Sequence, residues 1–464
     1  MTGIKAAPAV TQVTRAAGIA LGDRGALWLN SSMRDPLQPL LDLVLDGRTK
    51  GYPQDQPPMR LGEIGRQGWN LLRGEVDFPV AVLRASVIEQ NAAWMAEFLR
   101  RTGVSLCPHG KTTMAPQLFH RQLADGAWGL TLATAQQVRV AYEHGVKRIL
   151  MANEALGGRF LRWVGRTLDA DPAFDFTCLV DSLAGVQALE AAAGDRPFRV
   201  LVELGIAGGR TGVRTLEDGL AVARAVKASP RLNLRGVECY EGIVGTQDPA
   251  GDEAAINTWL DRLGDLAHRC VAEDLFETDE VLLTAGGSAY FDLVVRRLAR
   301  LDLGRVSRVL LRSGCYLSHD AGHYQRLVNL LEERLPGEWR IPAHLAPALE
   351  VWGQVTSRPE PTLAFLNLGK RDVGHDAGLP KPAVWCRPGG VPAPAPEGWC
   401  ITQLYDQHAK LQVPAKADLA GAAPAVGDLV GCAISHPCTT FDKWPVLFLV
   451  DDDYRVTEAV KTCF

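Results

Sequence analysis

Apolar and polar positions follow two different rhythms along this chain, and the change falls near residue 340. Phe78-Pro79-Val80-Ala81-Val82-Leu83 reads as a strand that opens with proline, as a first or edge strand can. Residues 85–101 read as a helix, with Val87, Ile88, Ala92, Met95 and Leu99 along one side. Short apolar runs then recur at 104–107, 128–132, 148–151, 175–180, 198–203, 234–239, 281–285 and 307–312. Helix-period patterns separate them at 115–125, 135–144, 158–169, 184–193, 216–228, 253–270 and 290–301. Alternating β and α units predict a parallel sheet covered by helices. Eight such units in roughly 230 residues predict a closed (β/α)8 barrel, with an open doubly wound sheet as the alternative.

Beyond residue 340 the helical period disappears. Alternating runs at 349–355, 383–386, 399–404 and 429–434 lie between proline and glycine clusters such as 388–396, which predicts a second, all-β domain. The expected division is a barrel over 78–335, a C-terminal β domain over 336–464, and an N-terminal extension over 1–77. In that extension, 36–45 and 61–73 read as short helices and the proline-rich 52–58 as a loop. Its expected role is packing.

Composition narrows the class. At 464 residues, 47% hydrophobic and 22% charged, the chain has the balance of a globular protein of two or three domains. A net charge of −4 gives no basic field for nucleic acid or an anionic membrane. No run of eighteen apolar residues reads as a membrane span. Asp23 and Arg24 interrupt the most apolar part of the N-terminus, 16–29, which argues against a secretory signal. Ten cysteines at irregular spacing suggest reduced thiols in a cytoplasmic setting.

The candidate chemistry sits where barrels keep theirs, just past the strands. Lys111, in Cys107-Pro108-His109-Gly110-Lys111-Thr112, follows the first strand. On a pocket floor, a partly desolvated lysine can serve as an amine nucleophile. Arg210 ends the glycine-rich loop after strand five, and Tyr240 follows strand six. Gly286-Gly287-Ser288 follows strand seven, where backbone amides, a hydroxyl and a helix N-terminus suit an anion. Arg312-Ser313-Gly314-Cys315-Tyr316 follows strand eight and suits the same role. Each residue alone also fits a solvated or packing role. Together, an amine and a phosphate cradle at one opening suit pyridoxal phosphate.

Pro108-His109-Gly110-Lys111-Thr112 resembles the Schiff-base motif of barrel-type pyridoxal phosphate enzymes with the alanine racemase fold (fold-type III). It is most similar to that of the D-serine dehydratase and D-threonine aldolase family. The resemblance spans 78–464 and implies that Lys111 bonds to the cofactor. It further implies that Arg210 faces the pyridine nitrogen, Tyr240 lies near the ring, and Gly286, Gly287 and Ser288 hold the phosphate. Thr134, after strand three, belongs to a similar family segment. Glu203-Leu204-Gly205 departs from the family's acidic-then-glycine pattern closer to Arg210.

In the β domain, Ser435-His436-Pro437-Cys438 holds an imidazole and a thiol two residues apart. On extended backbone these face the same side, and the donor pair suits zinc. The motif resembles the zinc pair of eukaryotic-type D-serine dehydratases. Asp406-Gln407-His408 resembles another segment near that site, whereas His375-Asp376 reads as a solvated loop. The implied activity is dehydration of D-serine or a related D-3-hydroxy amino acid to a 2-oxo acid and ammonia. A D-threonine-type aldolase, an amino-acid racemase and a non-catalytic carrier of the cofactor are the alternatives. The resemblance also implies a homodimer.

Overall fold

The computed structural model describes residues 35–245, 249–287, 289–415 and 423–464. The apolar stretch 16–29 and Ser288 lie outside them. Eight parallel strands carry the barrel: β2 (Ser105–Leu106), β3 (Leu130–Leu132), β4 (Arg148–Glu154), β5 (Asp175–Val180), β6 (Phe198–Leu204), β7 (Leu232–Cys239), β8 (Val281–Ala285) and β9 (Ser307–Leu311). They pair in the order β2-β9-β8-β7-β6-β5-β4-β3. A bridge from His109 to Thr131 closes the ring between β2 and β3. The Trp128 amide donates to the Leu106 carbonyl across the same seam at 2.7 Å.

The two-residue period of a strand sorts the side chains. Cys107, Leu150, Leu179, Leu201, Leu282 and Leu310 point inward and form a separate core cluster. Their neighbours, such as Val281, Leu283, Val309 and Leu311, face the helices. Asp175, at the start of β5, pairs with Arg199 and Arg235, both at 2.7 Å. Linking helices fall where the pattern put them, for example Ala85–Thr102, Ala135–Glu143 and Leu216–Ala228. One helix was not anticipated, His323–Arg334 after β9. Its buried Tyr324, Val328 and Leu331 are spaced four and three apart, a helical stripe diluted by polar residues. The Asp320 carboxylate accepts from the Gly322 and Tyr324 amides and caps its start.

The first strand, β1 (Val80–Arg84), belongs to the other sheet. It pairs antiparallel with β10 (Leu349–Glu360) and parallel with β16 (Val446–Val450). Hydrophobic pattern marks a strand but not its partner, so sequence alone grouped it with the barrel. The rest of that domain comprises β11 (Leu363–Leu366), β12 (Lys381–Cys386), β13 (Cys400–Leu404), β14 (Ala409–Gln412), β15 (Leu429–Ala433) and β17 (Val456–Lys461). All pairings among these strands are antiparallel. Residues 35–77 form short 3-10 turns, one α-helical turn and a small antiparallel pair, Val44–Leu45 with Met59–Arg60, rather than two amphipathic helices. Leu37, Tyr52, Ile64 and Leu71 are buried against β-domain residues including Trp352 and Phe448.

Candidate active site

The barrel's C-terminal mouth and one edge of the β domain enclose a cavity of about 580 Å³. Lys111, Arg210, Tyr240 and Gly287 reach it from the barrel, and His436 and Cys438 from the β domain. These groups are spread over more than 300 residues of sequence, from Lys111 to Cys438; the fold brings them to one opening.

Lys111 stands in a 3-10 turn, Gly110–Thr112, just beyond β2. A Cβ on Gly110 would meet the Phe119 ring at 2.9 Å, so only glycine lets the turn sit this close to the following helix. Lys111 is open to the cavity yet surrounded by protein. Loss of bulk water lowers its pKa below the ordinary 10.5. Arg210 and Arg312 push the same way, while Cys438 and Cys315 oppose them. The outcome is an amine more readily freed of its proton. The Arg210 guanidinium lies 4.8 Å from the centre of the Tyr240 ring. Arg312 is buried beneath, bonded to Glu238 at 2.9 Å and to Thr284 Oγ1 at 2.7 Å.

Two sequence expectations change here. The amides of Gly286 and Gly287 donate to the buried Glu241 carboxylate at 2.8 and 2.7 Å, rather than standing free toward the cavity. The carboxylate fixes this loop from behind, while Gly287 still lines the cavity. Thr134 does not line it: exposed at the start of its helix, it accepts the Gln137 amide at 3.3 Å as an N-cap.

Glycines keep the walls open. A Cβ on Gly287 would lie 2.6 Å from the Tyr240 ring, and one on Gly314 would run into the His109 carbonyl oxygen. His109 Nδ1 is buried at the wall without a hydrogen-bond partner. One lysine among the described lining residues, space kept by glycine and an orphaned polar atom fit pyridoxal phosphate. Gly314→Ala is expected to cost about 1–3 kcal/mol by forcing the loops after β2 and β9 apart. Urea unfolding of the variant checks this.

The His436–Cys438 pair is not on extended backbone. Pro437 is in the αR region, and Cys438 opens a single helical turn, Cys438–Phe441. Proline's fixed φ suits that entry and folds both side chains toward the cavity. Contact with Cys315, then with His436 and Thr112, holds the Cys438 thiol down to about 4. Cys438 and Asp376 raise His436 to about 9. The Cys438 and Cys315 sulfurs are 3.9 Å apart. A thiolate beside an imidazole is a donor set that fits a transition metal.

Asp376 is exposed, as expected, and also accepts from His436 Nδ1 at 2.6 Å and from Thr439 Oγ1 at 2.7 Å. It orients the ring as outer carboxylates orient metal-binding histidines. Asp376→Asn should therefore weaken metal affinity about 10–100-fold, measurable by competition with a chromophoric chelator. His408 is exposed in the turn between β13 and β14, outside the cavity lining.

A second group escaped the sequence reading. Glu154, Asp181 and Glu203, at the ends of β4, β5 and β6, bring carboxylate oxygens within 4.8 Å of one another. Burial, reinforced by Glu203, pushes Glu154 up to about 9, which favours a shared proton. Glu154 and Asp181 line a separate cavity of about 140 Å³.

Comparison with known proteins agrees with this architecture. Residues 84–306 match the "Alanine racemase, N-terminal domain" family, and residues 348–450 the "Putative serine dehydratase domain" family. The chain therefore carries the two domains characteristic of fold-type III pyridoxal phosphate enzymes. Within that class its relatives are D-threonine aldolase and D-threo-3-hydroxyaspartate dehydratase. It is 26% identical to a D-threonine aldolase of Arthrobacter sp. over 379 residues, 81% of this chain and 90% of that protein. It is 30% identical to the D-threo-3-hydroxyaspartate dehydratase of Delftia sp. (strain HT23) over 163 residues, 31% of this chain and 41% of that one. The crystal structure of D-threonine aldolase from Filomicrobium marinum superposes with a TM-score of 0.69 at 25% identity, covering 85% of this chain and 97% of that one. Among the described residues, no helix is long and apolar enough to cross a membrane.

Proposed function

We propose that this protein is a pyridoxal phosphate- and zinc-dependent dehydratase of D-3-hydroxy amino acids, converting them to 2-oxo acids and ammonia. The observation that carries this reading is the shared cavity of Lys111 and the His436–Cys438 pair. When bound, pyridoxal phosphate supplies an electron-withdrawing ring that acidifies the Cα proton of an amino acid joined to it. Lys111 would bond its aldehyde and, when free of it, would move the Cα proton on one face. That one-sidedness selects the D enantiomer. Arg210 would face the pyridine nitrogen, where a guanidinium discourages protonation and so would weaken the ring as an electron sink. Tyr240 would lie beside the ring, and Gly287, Ala289 and Gly314 would border the phosphate. His436 and Cys438 would hold the zinc, which would supply Lewis acidity for departure of the β-hydroxyl. In this division of labour, the metal ligands make up for the weak sink that Arg210 imposes.

The alternative is D-threonine-type aldol cleavage, favoured by the likeness to the Arthrobacter sp. aldolase along most of the chain. The same residues would hold the β-oxygen while the Cα–Cβ bond breaks. Product analysis separates the two. Incubation with D-serine, D-threonine or D-3-hydroxyaspartate should give 2-oxo acid and ammonia in equal amounts. Glycine and an aldehyde would instead establish the aldolase. We also take the active form to be a homodimer, which sedimentation equilibrium checks.

A further inference from the structure

We propose that Cys315 is a third ligand of the metal, so that the ion is held by two sulfurs and one imidazole with a single position open to substrate. This rests on the metal-site reading above and extends it to a residue from the barrel.

A catalytic zinc commonly takes three protein ligands and keeps the fourth position for water or substrate, and Cys2His is one such set. His436 and Cys438 supply only two. Cys315 lies in the loop after β9 and lines the same cavity. Its sulfur is 3.9 Å from that of Cys438. Two thiolates on one tetrahedral zinc, each about 2.3 Å from the ion, stand about 3.8 Å apart. The observed spacing therefore matches a shared ion and is far longer than a disulfide bond, about 2.05 Å. Thr112 Oγ1 contacts both sulfurs, at 3.6 Å to Cys438 and 3.9 Å to Cys315. A hydroxyl placed there can donate to either thiolate. His436 in turn contacts Cys438, which puts the imidazole beside the sulfur pair, although the three donor atoms do not all lie within 4.8 Å of one another.

The third ligand has chemical consequences. Two thiolates neutralise the dication, so the ion holds a departing hydroxide less tightly than a doubly charged centre would. One open position admits the substrate's β-oxygen alone, without chelation through its carboxylate. The site also joins the two domains, because Cys315 comes from the barrel and the other two ligands from the β domain.

X-ray absorption at the zinc edge, on the wild-type holoenzyme, tests the count without any substitution. Two sulfurs at about 2.3 Å are expected; one sulfur overturns the proposal. Cobalt substitution provides an independent readout. The sulfur-to-cobalt charge-transfer band should fall to about half in Cys315→Ser, and cobalt affinity should fall at least about tenfold. A wild-type band and affinity in that variant would overturn the third ligand while leaving the pair intact. Wild-type protein that takes up no metal would instead remove the underlying metal-site reading.

Discussion

Lys111→Ala is expected to eliminate both the visible absorbance of lysine-bound cofactor and measurable turnover. The fall should be at least about 1,000-fold, since one group serves as both covalent anchor and base. No other described residue lining the cavity is a lysine, so no neighbour can take over. The fold should survive, because Lys111 projects into the open cavity and supports no core packing. An unchanged melting temperature would separate this loss from unfolding. A small added amine should restore part of the proton transfer. The wild-type amine also carries a pH signature. Its pKa is lowered, first by burial and then by Arg210 and Arg312. Cofactor capture by the stripped protein should therefore rise with pH and level off below 10.5, the ordinary lysine value. A plateau only above that value would mean the amine is solvated normally.

Metal removal is expected to have the second-largest effect. Chelation, or Cys438→Ala, should lower elimination about 100-fold or more, in keeping with several kcal/mol of Lewis-acid assistance. Exchange of the Cα proton with deuterated solvent should persist, because that step belongs to Lys111 and the cofactor. The cofactor should also stay visibly bound. Loss of exchange together with elimination would place the metal earlier in the reaction. Unchanged elimination in metal-free protein would remove the metal from the mechanism.

Much of the architecture was legible because burial imposes a period on sequence. The eight barrel strands and most linking helices follow from runs such as Val281–Ala285 alternating with amphipathic stretches. The helix His323–Arg334 was overlooked because its stripe is broken by charged and amide side chains. Val446–Val450, an uninterrupted Val-Leu-Phe-Leu-Val, carries the same apolar-run signal as the barrel strands. Sheet membership was not legible: Val80–Arg84 has the same pattern whichever sheet it joins.

The site divides along similar lines. Lys111, His436 and Cys438 stand out because their immediate neighbours constrain the backbone. Asp376 and Cys315 do not, since each meets its partner only after the chain has folded: Asp376 with His436, and Cys315 with Cys438. Glu241 was hidden in the same way behind the glycine loop it holds. Thr134 shows the converse hazard. A threonine beside a strand end looked chemical but serves as a helix cap.

The central claim is that one amine and one sulfur–imidazole pair serve a single substrate. The most direct test is a crystal structure of the protein loaded with cofactor and zinc, with anomalous data collected at the zinc edge. The account predicts electron density joining the cofactor to Lys111 and an anomalous peak between His436 and Cys438, both in the same cavity. A peak at Glu154, Asp181 and Glu203 instead, or a cofactor joined to another lysine, would contradict it.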